Sequence, residues 1–269
     1  MLGEILAHTR VERPLVHCIT NYVTANDCAN ILLACGASPI MAEDPDEAAE
    51  IVAQCDGLVL NLGTPNPRKL SAMMLAGQEA NRLGLPVILD PVGVGSSMLR
   101  KDAARSMLEK LHLAAIRGNA SEISALVYGM SCGRGVDACE PPPSDSIAKY
   151  AADLSRKTGA IVIVTGDSDI VTDSAKIYRV MNGHPMMRTV TGAGCQLSAL
   201  LGAYISANPG QVAKAALAAV CAMGLCGEIA FTRLGPLDGN AAYRNYIIDA
   251  IYHLSPKALE KGARYEVIR

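Results

Sequence analysis

Short runs of β-branched and leucine residues alternate along this chain with longer segments of helical spacing. Gly57-Leu-Val-Leu-Asn61, Pro86-Val-Ile-Leu-Asp90, Leu113-Ala-Ala-Ile-Arg117 and Ala160-Ile-Val-Ile-Val-Thr165 read as strands, with the continuous apolar character of parallel strands covered on both faces. Helix candidates lie between them near 24–35, 44–54, 67–83, 101–110, 119–128 and 144–158, and three more follow near 194–207, 210–231 and 239–253. This alternation predicts an α/β fold in three layers, a mostly parallel central sheet with helices on both faces. Asp169-Ile-Val-Thr-Asp173 and Lys176 to Met181, with Asn182-Gly183 behind them, predict a small antiparallel edge. No repeat interrupts the pattern, and the one break in composition, Cys139-Glu-Pro-Pro-Pro-Ser-Asp145, is too short for a domain linker. It reads as a loop leading to an N-cap at Ser144 or Asp145. The expectation is one domain spanning residues 1–269.

The charge balance narrows the partners. A formal charge of −2 with no cluster of Lys or Arg gives no electrostatic footprint for nucleic acid or an anionic membrane. Nine cysteines are an odd number, none forms a C-x-x-C pair, and this argues against a zinc site or a disulfide framework. Most sit among small apolar residues and read as inert buried thiols; Cys195 differs by its position at a helix mouth. The longest apolar run, Ala215 to Cys226, falls short of the ~20 residues a bilayer span needs and reads as a core helix. Glu4, His8, Arg10, Glu12 and Arg13 near the start leave no apolar core for a signal peptide, so the expected location is the cytoplasm.

The polar residues collect at the strand ends. Asn61-Leu-Gly63-Thr64, Asp90-Pro-Val-Gly93, Arg117-Gly-Asn119 and Thr165-Gly166-Asp167 each bring a polar group and a glycine to the carboxyl edge of the sheet, where such folds bind ligands. Thr191-Gly192-Ala193-Gly194-Cys195 then opens an apolar helix. Two glycines one residue apart allow a tight turn with exposed N–H groups, and the positive helix end makes them a seat for a phosphate-like anion. Arg117 can clamp such an anion with its planar fork. Asn119 and Glu122 share one face of a helical first turn, either to hold a hard cation or to form a reciprocal helix cap. Asp90 is a second candidate oxygen ligand, and Mg2+ usually takes only one or two carboxylates beside substrate phosphates. Anion seat, arginine and carboxylates are what phosphoryl transfer requires. Neither G-x-x-x-x-G-K-[ST] nor G-x-G-x-x-G occurs, which sets aside P-loop enzymes and weakens the case for a dinucleotide oxidoreductase.

Taken in order, Asp90-Pro-Val-Gly93, Asn119-x-x-Glu122, Thr165-Gly166-Asp167 and Thr191-Gly-Ala-Gly194 resemble the motifs of the ribokinase-like superfamily of small-molecule kinases. Within it, the chain is similar to the hydroxyethylthiazole kinases, through Cys18-Ile-Thr-Asn21, Gly36-Ala-Ser-Pro-Ile-Met-Ala42, Leu60-Asn-Leu-Gly-Thr64, Ala114-Ala-Ile-Arg-Gly-Asn-Ala120 with Glu122, and Gly135-Val-Asp137. The resemblance implies a ribokinase-like fold and ATP-dependent phosphorylation of the hydroxyl of 4-methyl-5-(2-hydroxyethyl)thiazole, in thiamine salvage. It implies ATP at Arg117, Thr165 and Asn119, Mg2+ near Asp90 and Glu122, and the thiazole beside Asn21, Met41 and Gly63. The hydroxyethyl arm would reach Gly192 and Cys195, with Gly192, Ala193, Gly194 and Cys195 as the catalytic turn. It also implies a homotrimer with the thiazole site at a subunit boundary.

One departure stands out. The wider superfamily ends its motif Gly-Ala-Gly-Asp, the Asp serving as base for the hydroxyl, whereas this chain has Cys195; the thiazole kinases share that change, and the base stays open. Three other readings compete. A sister kinase would act on a pyrimidine or pyridine alcohol; Cys195 could be a covalent nucleophile if His17 or His184 folded beside it; and a nucleotide sensor would use Asp90, Arg117 and Glu122 for binding alone.

Overall fold

The computed structural model describes residues 1–128 and 144–268. The chain begins with α1 (Leu2–Glu12), β1 (Leu15–Ile19), α2 (Ala25–Cys35), β2 (Ser38–Ile40), α3 (Ala48–Val52), β3 (Gly57–Asn61), α4 (Pro67–Arg82), β4 (Val87–Asp90), α5 (Met98–Lys110), β5 (Ala115–Asn119) and α6 (Ala120–Tyr128). It continues with α7 (Ser144–Thr158), β6 (Ile161–Thr165), β7 (Asp169–Thr172), β8 (Ile177–Val180), α8 (Ala193–Ala207), α9 (Val212–Thr232), α10 (Asn240–His253), α11 (Pro256–Gly262) and β9 (Tyr265–Val267). The nine strands among the described residues form one sheet, in the order β2-β1-β3-β4-β5-β6-β7-β8-β9. The pairs from β2 to β6 are parallel, and β7, β8 and β9 add an antiparallel edge.

Strand order reverses between β1 and β3, because β1 pairs with β2 on one side and β3 on the other. That reversal opens a crevice at the carboxyl ends, the usual ligand position in open α/β sheets. Alternation along each strand sorts the core into two layers. Val59, Ile88, Ala115 and Ile163 pack toward α1, α2, α8, α9 and α10, while Leu58, Leu60, Val87, Leu89, Ile116 and Val162 pack toward α3 to α7. The same two-residue period puts Asn61, Asp90, Arg117 and Thr165 on the α8 face, since each follows an α8-facing residue by two.

Helices α8 and α9 are apolar all round and lie in the interior. The stretch Pro209–Thr232 is long and apolar enough to cross a membrane by length and composition, yet 72% of its most apolar window is buried against the rest of the fold. It is longer than the run the sequence suggests, because flanking Val212, Ile229 and Phe231 extend the helix.

The α/β expectation is met, with corrections at the margins. The strand over Gly57–Asn61 has the expected bounds, and Asp169–Thr172 with Ile177–Val180 forms the expected hairpin. The helix expected near 44–54 shrinks to Ala48–Val52, since Asp44 and Asp46 form a turn in which the Asp44 carboxylate accepts the Asp46 N–H at 3.0 Å. Strands β1, β2 and β9 and helices α1 and α11 escape the sequence pattern. β1 carries a buried His17, β2 is three residues long around Pro39, and β9 is exposed throughout. The Pro-rich loop, Cys132, Cys139 and Gly135-Val-Asp137 lie outside the described residues, as does the side chain at either expected N-cap, Ser144 or Asp145. The other seven cysteines are buried free thiols.

Candidate active site

The site lies where the crevice between β1 and β3 meets the N-terminus of α8. Gly192 is the N-cap of α8 and adopts φ 85°, a left-handed conformation that favours glycine. It caps no N–H with a side chain, so the first-turn amides of Gly194 and Cys195 face the mouth, while the Ala193 N–H donates to the Val190 carbonyl at 3.4 Å. A Cβ on Gly192 would overlap the Thr24 side chain, and one on Gly194 would overlap the Arg117 guanidinium. The glycines thus let the helix end settle directly on β5 and on the turn after β1.

Asp90 sits beneath that mouth and is fully buried. Its Oδ2 accepts hydrogen bonds from Asn61 Nδ2 and Ser198 Oγ, both at 2.7 Å. Its Oδ1 has no hydrogen-bond partner, and Arg117 Nη1 stands 3.6 Å away. Burial pushes the Asp90 carboxyl above its ordinary range, against the pull of Arg117, Ser198 and Asn61. Arg117 in turn donates from Nη2 to Thr165 Oγ1 at 2.6 Å. Asp169, the first residue of β7, accepts the Gly166 N–H at 3.0 Å, and burial raises its carboxyl to about 6.

Glu122 is held by two backbone groups. Oε1 accepts the Gly93 N–H and Oε2 the Asn119 N–H, each at 2.8 Å, while Asn119 Oδ1 accepts the Glu122 N–H at 2.8 Å. This is the reciprocal capping box. Burial and the Asp90 charge both push the Glu122 carboxyl up. The cap does not remove the cation role, because each carboxylate oxygen keeps a second lone pair. Among the described residues no cluster of three His, Cys, Asp or Glu exists; two carboxylates with an orphaned oxygen suit Mg2+, whose remaining positions go to phosphate oxygens and water.

On the other side of the mouth, Asn61 is the centre of a polar network. Its Nδ2 donates to Asp90 and toward Cys195 Sγ at 3.3 Å, and its Oδ1 accepts from Asn21 Nδ2 at 3.0 Å and the Gly63 N–H at 2.9 Å. Asn21 Nδ2 also approaches Cys195 Sγ at 3.4 Å, and its Oδ1 accepts the Thr24 N–H at 3.2 Å. A Cβ on Gly63 would stand 2.7 Å from the Asn21 side chain, so a side chain there would fill the crevice. Cys195 is buried, and its thiol is pushed up by burial and by Asp90. No histidine is hydrogen-bonded to it. His17 bonds the Ala42 carbonyl and His184 stacks on Phe231. The covalent-nucleophile reading therefore lacks both its base and a depressed thiol pKa.

The structure thus brings together Asn21, Gly63, Asp90, Arg117, Thr165, Gly192, Gly194 and Cys195, with Asn119 and Glu122 on the adjoining helix cap. Met41 stands apart, half-buried just past the edge strand β2. Sequence reasoning named Asn61 only as a strand end and passed over Ser198, Thr24 and Arg100. Ser198 had a signal, since it falls one turn after Gly194 on the helix face that meets the sheet. Arg100 had none, being one of several charges on a polar helix.

A profile of the hydroxyethylthiazole kinase family matches residues 6–257. This chain belongs to the hydroxyethylthiazole kinase family. It is 51% identical over 271 residues to a hydroxyethylthiazole kinase of Clostridium acetobutylicum, covering 99% of each chain. It is 44% identical to one of Ruminiclostridium cellulolyticum, covering 99% of this chain and 97% of that one. Among solved structures, the hydroxyethylthiazole kinase protein of Pyrococcus horikoshii superposes with a TM-score of 0.89 at 31% identity, covering 100% of this chain and 99% of that one. The pyridoxal kinase of Staphylococcus aureus in complex with AMP-PCP and pyridoxal shares the fold at a TM-score of 0.63 and 13% identity, covering 94% of this chain and 97% of that one. The ribokinase-like fold follows from these likenesses. The Cys195 departure, and the site around it, thus belong to a hydroxyethylthiazole kinase family member.

Proposed function

We propose that this family member transfers the terminal phosphoryl group of ATP to the hydroxyl of hydroxyethylthiazole, as one kinase domain of residues 1–269 working in thiamine salvage. The observation that carries this reading is the convergence, under a glycine-built helix mouth, of a buried carboxylate with a free oxygen and an arginine fork. Charge gathers on the transferred phosphoryl group, and preorganised donors aimed at that charge supply most of the catalysis. Arg117, braced by Thr165, meets the phosphates. The Gly194 and Cys195 amides cradle the group in flight. Asn119 holds the Glu122 cap at the nucleotide edge.

Asp90 Oδ1 and Glu122 would hold Mg2+, directly or through water, and the fit rests on the orphaned buried oxygen and the paired carboxylates. The ion would neutralise charge between the phosphates. On the substrate side, Asn21, Gly63 and Gly192 line the crevice, while Met41, half-buried just past β2, stands apart from that lining. Cys195 faces the place where the hydroxyl would enter. Burial keeps the thiol protonated and without a basic thiolate to accept a proton, so the residue orients the hydroxyl rather than deprotonating it.

The same reading makes the active form a homotrimer in the cytoplasm with the thiazole bound at a subunit boundary. Support comes from the turn after Asn21, where Tyr22 and Val23 are 79% and 56% exposed beside the crevice. Purified protein with ATP, Mg2+ and the thiazole alcohol should yield ADP and thiazole phosphate in equal amounts, and chelating the metal should stop both. Faster turnover of hydroxymethylpyrimidine or pyridoxal than of the thiazole would overturn the substrate assignment.

A further inference from the structure

Arg100 stands in the first turn of α5, where Ser97 caps the helix by accepting its backbone N–H at 3.3 Å. Its side chain turns back under the strand ends. Nη1 donates to the Leu62 and Val92 carbonyls, each at 2.5 Å, and Nη2 donates to the Gly63 carbonyl at 2.6 Å. One half-buried guanidinium therefore satisfies three backbone carbonyls from two loops. A cation spent wholly on backbone carbonyls, with no carboxylate in hydrogen-bond contact, acts as a geometric brace.

The two loops carry opposite halves of the site. Gly63 donates its own N–H to Asn61 Oδ1, the atom that also receives Asn21, so the turn after β3 fixes the network around Cys195. Val92 precedes Gly93, whose N–H fixes Glu122, so the turn after β4 fixes the carboxylate edge. Leu62 also donates its N–H to the Asp90 carbonyl at 3.0 Å, the last rung between the strands. Beyond that rung the strands separate, and Arg100 is the described link that spans them. Gly93 has φ 64°, and a Cβ there would lie 3.3 Å from Arg100 Nη1, so the turn closes tightly around the guanidinium.

We propose that Arg100 is a positioning residue for phosphoryl transfer: its guanidinium sets the spacing between the thiazole-side turn at Gly63 and the metal-side turn at Gly93. This rests on the function proposed above. Lysine cannot replace it, because an ammonium is a point charge whereas the planar fork reaches three carbonyls in fixed directions.

The test compares Arg100→Lys, Arg100→Gln and Arg100→Met with the native enzyme. Steady-state kinetics should show KM for the thiazole alcohol and the Mg2+ half-saturation rising together, with kcat/KM down about 10–100-fold, the scale of an ångström-level misplacement. ATP binding measured without Mg2+ by calorimetry should stay within about twofold, since Arg117 and Thr165 are untouched. Hydrogen exchange should quicken at residues 61–64 and 91–95 and nowhere else. Arg100→Lys should recover thermal stability better than it recovers KM. Native KM and Mg2+ dependence in all three variants, uniformly faster exchange, or full kinetic rescue by lysine would each overturn the proposal. Should Arg100→Met fail to fold, the lysine and glutamine variants decide it. Should the native enzyme leave the thiazole unphosphorylated, the function proposed above fails, while the local exchange pattern still decides whether Arg100 ties the two turns.

Discussion

Asp90 and Cys195 show how single side chains divide the chemistry. Asp90 is fully buried, and burial raises its carboxyl above the ordinary 3.8. A carboxylate with a raised folded-state pKa weakens the fold as pH climbs from the ordinary value through the raised one, and the penalty vanishes below the ordinary value. Asp90→Asn keeps an oxygen to accept from Asn61 and Ser198 and removes that penalty. The variant should be more stable than native at pH 7, lose the gain below the ordinary carboxylate range, and lose activity by at least ~10³-fold. Thermal melts at several pH values against the native protein check it. An Asp90→Asn protein less stable than native at pH 7 would mean that the carboxylate is net stabilising without metal. At position 195 burial pushes the thiol up, so this side chain does not supply the general-base catalysis worth about 10²–10⁴-fold elsewhere. A carboxylate in its place would meet the Asn21 and Asn61 amides and the positive end of α8. Cys195→Asp should match or exceed native kcat, raise KM for the apolar thiazole, and lose rate as pH falls through the new carboxyl's pKa. Kinetics of the Ala, Ser and Asp variants across pH read this, and an Asp variant no faster than Ala would remove residue 195 from the reacting hydroxyl.

Helix ends and strand parity position these groups. Gly194 lies against Arg117, so Gly194→Ala should fold normally, because the guanidinium can swing away, yet raise KM for ATP and lower kcat/KM about 10²-fold. A stable variant with native kinetics would show that Arg117 need not touch the helix mouth. Glu122 is a sterner case. Both its oxygens accept backbone N–H groups, and a glutamine amide would set its own NH2 against one of them. Glu122→Gln should therefore shift the Mg2+ titration to higher concentration and cost roughly 1–3 kcal/mol of stability, the price of one buried amide without an acceptor. Much of this was legible in the sequence. The strands ending in Asn61, Asp90, Asn119 and Thr165 and the glycine turn at Gly192 announced the site, because apolar runs that stop at a polar residue and a glycine carry their signal locally. What stayed hidden depends on contacts distant in sequence. Asn61 meets Cys195 across 134 positions and Ser198 meets Asp90 across 108. Strand β1 was missed because a buried histidine breaks its apolar pattern, and with it went the switch point that locates the crevice.

At the scale of the whole molecule, the crevice opens at a surface that one chain leaves apolar. Tyr22 and Val23 follow Asn21 directly and stand 79% and 56% exposed, and Leu33 on α2 is 56% exposed. Exposed apolar side chains beside a ligand site suit coverage by another chain, as the proposed trimer requires. Asn21 itself is buried, tied to Asn61, Thr24 and Cys195, so its position is set within one chain. Assembly would then act on the outer wall of the crevice and on the exclusion of water, which strengthens every charge interaction inside. Tyr22→Asp combined with Val23→Lys should dissociate the proposed trimer, as read by light scattering, because charges buried without partners are costly. The isolated chains should keep their fold and bind ATP through Arg117 and Thr165, while KM for the thiazole rises by at least ~10-fold. A doubly substituted protein that still sediments as a trimer, or a monomer with native thiazole KM, would place the assembly surface elsewhere and make the crevice complete within a single chain.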